Sequence, residues 1–150
     1  MAPQKPRRML MSEVRGVPIS YSIDVPSALI TTKCIGRVTV AEVLDHFREL
    51  PRVWPPVDRL DVFLDLRQLT SLPTIAELQA VAAEIEDQIG THRFGRCAVV
   101  SDRALLHESM QMFQVLVNRF FDEIQVFRTA EGAVVWLHPK PNAARTLTAQ

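Results

Sequence analysis

The stretch from residue 61 to residue 100, DVFLDLRQLTSLPTIAELQAVAAEIEDQIGTHRFGRCAVV, holds the pattern that decides the fold. It opens on a compact apolar run, Asp61 to Leu66, centred on Val62, Phe63 and Leu64 and of strand length. Thr74 and Glu77 follow at capping-box spacing, in which a hydroxyl and a carboxylate each accept a free N–H of a starting helix. Behind them Ile75, Leu78, Val81, Ala82, Ile85 and Ile89 mark one helical face, and Gly90 stands where a C-terminal cap belongs. Arg96 to Val100 then reads as a second strand, rich in Ala, Val and Cys as a strand covered on both faces is. Such a strand–helix–strand unit joins parallel neighbours through a right-handed crossover.

The same logic extends in both directions. Upstream, Ile19 to Ile23 alternates apolar with polar residues, Pro26 and Ser27 supply a turn, and Ala28 to Ile35 returns as a second strand. Thr39 and Glu42 repeat the capping box before Val40, Val43, Leu44, Phe47 and Leu50, and Pro51 is expected to close that helix. A loop with Trp54, Pro55 and Pro56 leads back to residue 61. Downstream, Asp102 is a candidate cap for a helix over 104–120 whose core face is Leu106, Met110, Phe113, Val117 and Phe120. Glu123 to Phe127 is a last strand, and Thr129 can cap a final helix ending before Pro139. The order β-β-α-β-α-β-α-β-α predicts an α/β fold: a mixed sheet with an N-terminal antiparallel hairpin and covering helices. Residues 17–138 form one domain in this reading, between flexible tails at 1–16 and 139–150.

Composition bounds the function. A chain of 150 residues with 47% apolar side chains can bury one real core. Seventeen basic and 17 acidic residues balance to a formal charge of zero, which gives no overall drive toward nucleic acid. No apolar run is long enough to span a bilayer and the first residues lack a secretory hydrophobic segment, so a cytoplasmic address is expected.

Motifs for chemistry are sparse. The glycines form no phosphate-binding loop and no GxSxG elbow is present. His46, His92, His107 and His138 are scattered, with His107–Glu108 the best metal pair and more simply surface residues of a first helical turn. Cys34 and Cys97 lie in strand-like stretches and could meet across neighbouring strands, but no CxxC activates them. No cofactor is expected. Asp65, Arg67 and Asp102 follow strands, where α/β proteins place ligands, and are candidate polar contacts. The helix over 104–120 carries Leu105, Met112, Leu116 and Phe121 beyond its core stripe, a candidate interface for a protein partner or a homodimer.

These pieces together resemble the SpoIIAA-like, STAS-domain bacterial family (STAS/SEC14 type). The matching segments are the hairpin ending in Gly36 with VTVAEV over 38–43, FLDLR over 63–67, CAVVSD over 97–102 and VFRTAEGAVVWL over 126–137. The resemblance implies a non-enzymatic regulatory or protein-interaction module, with binding of a lipid or other small hydrophobic ligand as the alternative. In the anti-sigma-factor antagonists of that superfamily a serine at the start of the second helix is phosphorylated. The corresponding loop here makes Thr70, Ser71 and Thr74 the candidate regulatory residues, although Pro73-Thr74-Ile75-Ala76 stands in place of the family's Asp-Ser-Ser-Gly. An apolar ligand cavity is expected near Trp54, Phe63 and Phe113.

Overall fold

Each strand of the sheet after the first pairs with the one that precedes it in the chain, so spatial order and sequence order coincide. The computed structural model describes residues 8–10, 17–89 and 92–138. Its elements are β1 (Arg8–Leu10), β2 (Ile19–Asp24), β3 (Leu29–Gly36), α1 (Val40–Val53), β4 (Arg59–Leu69) and α2 (Ile75–Ile89). They continue with β5 (Arg93–Val100), α3 (Ala104–Val117), a 3-10 turn (Asn118–Phe120), β6 (Glu123–Phe127) and α4 (Ala130–Leu137).

β1, β2 and β3 pair antiparallel, and β3 to β6 run parallel. The mixed sheet, its early hairpin and its covering helices are those the sequence predicts. β1 is an addition, an edge strand within the stretch expected to be a tail. The rest of 1–16, Gly90 and the stretch 139–150 lie outside the described residues.

Because the crossovers β3–α1–β4, β4–α2–β5 and β5–α3–β6 all step the same way, α1, α2 and α3 collect on one face of the sheet. Alternation divides the strands accordingly. Leu60, Leu66, Cys97 and Val99 join the large core under those three helices, with Leu106 and Val117 of α3. Ala98 and Val100 meet Ala133 and Leu137 of α4 in a second cluster on the opposite face, with Phe63, Phe127 and Trp136 packed around it.

Local signals explain the element ends. Thr39 Oγ1 accepts the Glu42 N–H at 3.2 Å while Glu42 Oε1 accepts the Thr39 N–H at 2.8 Å, completing the first capping box. Thr74 and Glu77 do the same at 3.1 and 2.9 Å, and Thr129 Oγ1 accepts the Gly132 N–H. Gly36 ends β3 with φ 72°, a left-handed conformation that glycine adopts without a side-chain clash. Gly95 gives room for Asp61, whose Oδ1 would lie 2.2 Å from a Cβ there and accepts the Arg96 N–H at a shift in register between β4 and β5.

Two expected boundaries are corrected. Pro51 lies inside α1, which runs on to Val53; in the last turn its missing N–H costs one bond to the Phe47 carbonyl and leaves the helix unbroken. Asp102 is exposed and caps nothing: the N-cap of α3 is Arg103, without a side-chain bond. Arg103 instead donates its guanidinium to the Leu69 carbonyl and ties the β5–α3 loop to the end of β4.

Candidate apolar cavity

Helix α1 is amphipathic, yet Leu50 is its one fully buried residue. Val40, Val43 and Phe47 face the sheet only half-buried, because the space beneath them is open. That space is a cavity of about 350 Å³. Its floor is the inward face of the sheet: Ile30, Thr32 and Cys34 of β3, Val62, Leu64 and Leu66 of β4, and Phe94 and Cys97 of β5. α1 and α2 form its roof through Val43, Phe47, Leu78 and Val81, and Met110, Phe113 and Phe121 close its far end. Among its lining residues only Arg37, Thr39 and Leu72 are exposed. All three stand on the β3–α1 and β4–α2 loops, so the mouth lies at the carboxyl end of the parallel strands.

The rim is tied by short-range bonds. Ser71 Oγ accepts the Val38 N–H at 3.1 Å and donates to the Val38 carbonyl at 3.3 Å, linking the two loops. Inside, the ionisable groups are held neutral. Burial pushes the Cys34 thiol up to about 12, helped by nearby Asp65, and burial with Asp61 raises Cys97 as well. His46, half-buried beside Tyr21 and Phe47, is lowered by burial to about 4 and is uncharged at neutral pH. Among the described residues the wall is therefore uncharged apart from the rim residues Arg37 and Glu77.

The residues singled out in the sequence distribute as follows. Ser71 lies on the rim of the cavity, with Thr70 and Thr74 in the same loop. Thr74 Oγ1 is occupied as an N-cap and the Glu77 carboxylate sits on its own N–H, so a phosphate there would meet a like charge. Asp65 and Arg67 project to the α4 side of β4 and pair with each other at 2.8 and 3.0 Å. Hydrogen bonds from the Arg67 guanidinium hold the Asp65 carboxyl below its ordinary range. Asp102 stands in solvent and neither it nor this pair lines the cavity.

On α3, Leu105 is 64% exposed and Met112 also faces solvent, while Leu116 is half-buried. Phe121 does not belong with them: it is 8% exposed, its ring stacked on Phe94 at 4.9 Å. The 3-10 turn after α3 swings it inward, which helical spacing alone does not foresee. His107, expected at the surface, is buried beside Leu106 because it shares the inward side of the helix with Leu106, Met110 and Phe113. Cys34 and Cys97 cannot meet as neighbours, since β4 runs between their strands. Of Trp54, Phe63 and Phe113, only Phe113 reaches the cavity; Phe63 points to α4 and Trp54 packs on His92 and Phe94.

Sequence reasoning missed the cavity-lining set itself. Its one visible signal is the pair of valines with Phe47 on α1, a stripe that reads as ordinary core.

Comparison with known proteins agrees with this architecture. A family model described as SpoIIAA-like matches residues 29–138. Among solved structures, a protein of the DUF3478 family with a SpoIIAA-like fold from Shewanella loihica PV-4 superposes with a TM-score of 0.53 at 14% identity, covering 91% of this chain and 98% of that one. At that identity the likeness concerns the fold. No curated protein matches the chain.

Proposed function

The chain belongs to the SpoIIAA-like family, and from that premise we propose that it is a STAS-type binding module that holds a small apolar ligand between α1, α2 and the sheet. The observation that carries this reading is the cavity. Protein interiors pack as densely as organic crystals and leave few voids larger than a water molecule. This space is lined almost wholly by apolar side chains and opens at one end, and its volume falls within the range of small-molecule sites, about 300–1,000 Å³. The strand order never reverses, so the crevice in which doubly wound sheets bind nucleotides has no counterpart. The binding space lies within the helix–sheet layer.

A second reading, a regulatory module that engages a protein partner, is favoured by apolar side chains at the same end of the sheet. Leu72 and Ile75 are exposed beside the mouth, and Leu105 begins an exposed stripe on α3 that continues to Met112 and Val115. The two readings combine if a partner senses occupancy through the β4–α2 loop, where the candidate regulatory residues Thr70, Ser71 and Thr74 lie. No helix among the described residues is long and apolar enough to cross a membrane, and a cytoplasmic binding protein accords with that.

The test is solvent extraction of the purified protein with mass detection, paired with thermal unfolding. A stoichiometric apolar molecule is expected, and its removal should lower the midpoint; saturation at 100 times Kd corresponds to about 2.7 kcal/mol. Val81→Trp, which fills the cavity, should abolish copurification while the circular dichroism spectrum is retained. A ligand-free protein whose midpoint responds to no added amphiphile would overturn the reading.

A further inference from the structure

Among the described residues, the polar side chains at the mouth are engaged except for one. Thr39 and Glu77 serve the two capping boxes, and Ser71 bridges to Val38. Arg37 is exposed, and among the described residues it makes no hydrogen bond or ion pair. Its position follows from local structure. Gly36, with φ 72°, turns the chain at the end of β3, and the next residues cross the opening before α1 begins at Val40. Among the described residues Arg37 is thus an uncommitted cation at the entrance to an apolar space whose other charged lining residue is Glu77.

Burying an apolar chain beneath an arginine selects a particular kind of molecule. A cationic head would be repelled at the rim, and a neutral hydroxyl would gain at most one weaker hydrogen bond from the guanidinium, without charge pairing. An oxyanion head can take its paired N–H donors, the geometry that makes arginine the usual partner of carboxylates and phosphates. Glu77, on the α2 side of the same rim, repels an anion and confines the head to the β3–α1 side. We infer that the ligand is a single-chain amphiphile with an anionic oxygen head, a carboxylate or a phosphate monoester, and that Arg37 reads the head while the cavity takes the chain. This rests on the apolar-ligand reading above and adds the chemistry of the head group.

The experiment is calorimetric titration of the full chain, stripped of bound material, with dodecanoate, dodecyl phosphate and dodecan-1-ol below micellar concentrations. Dodecanoate and dodecyl phosphate should each bind roughly three- to tenfold tighter than the alcohol, as an exposed but charge-assisted contact gives. Whichever of the two is tighter identifies the head. Arg37→Gln should bring both anions to the affinity of the alcohol and leave the alcohol unchanged, and Arg37→Glu should push the anions below it. Within a series of carboxylates, affinity should rise roughly fourfold per methylene until the cavity is full.

Equal binding of alcohol and anions, or an anion preference that survives Arg37→Gln, overturns the role of Arg37 and leaves the cavity reading standing. Inorganic phosphate that binds as tightly as dodecyl phosphate overturns the amphiphile. Failure of all three chains to bind overturns both readings together.

Discussion

Helices α1 and α3 cover the same face of the sheet and meet it in opposite ways. α3 drives Leu106, His107, Met110, Phe113 and Val117 fully into the core, whereas α1 buries Leu50 alone and leaves Val40, Val43 and Phe47 over open space. Their ends differ too: α1 starts on a complete capping box, and α3 starts on Arg103 with no side-chain cap. The helix held by packing needs little from its ends. The helix that spans a cavity is pinned by its cap, by α2 alongside it and by Leu50 near its C-terminus. An amphipathic stripe therefore specifies which side of a helix faces inward and leaves open what fills the space it faces.

The contrast is most sharply tested by truncation. Leu106→Ala should destabilise the protein by about 2–5 kcal/mol, the usual cost of emptying a packed leucine site. Phe47→Ala should cost about 1–2 kcal/mol, since it enlarges a space that already exists. Urea unfolding compares the two, and equal losses would mean that α1 packs as closely as α3.

Acid probes the same region through His46. Its folded pKa of about 4 lies below an unfolded value of about 6.5. Above pH 6.5 the ring is neutral in both states and the fold keeps its full stability. As pH falls toward 4 the unfolded chain takes up a proton that the folded ring resists, so stability declines. The ceiling is about 3 kcal/mol, reduced because the ring is only half-buried. Stability curves of His46→Gln should be flatter across that window, and a wild-type curve with no slope there would place the ring in water.

Filling is the converse of truncation. Val117→Phe, at a fully buried site, should cost about 1–3 kcal/mol. Val43→Phe, facing the cavity, should be neutral or raise the thermal midpoint slightly while weakening ligand binding. The smallest effect concerns the ends: Thr39→Ala should cost about 1 kcal/mol and Asp102→Ala nothing measurable. Chemical denaturation resolves the first, and a comparable loss in the second would restore Asp102 as a cap.

Much of the fold was legible because its signals are local. Thr39 with Glu42 and Thr74 with Glu77 are four residues each, and they announce the two helices correctly. Alternation in Ile19 to Ile23 is likewise visible in one short window. The errors arise where a residue's role depends on distant chain. Phe121 turns inward through a 3-10 turn to meet Phe94, and Asp102 yields its place to Arg103, whose partner is the Leu69 carbonyl. The loop of Thr70, Ser71 and Thr74 was a candidate for its family role and proves to border the mouth. The cavity was the least legible feature, since it consists of space between elements and leaves no letter in the sequence.

The coincidence of strand order with chain order also bears on how the molecule is made. In a sheet assembled as β1-β2-β3-β4-β5-β6, every strand after β1 appears when one of its partners has already left the ribosome. No segment waits for a distant one to be synthesised, as the central strand of a doubly wound sheet must. The contacts that build the sheet are then of modest sequence separation, which favours rapid folding. The chain can grow its sheet vectorially, one strand–helix unit at a time, leaving little unpaired edge for another nascent chain to find.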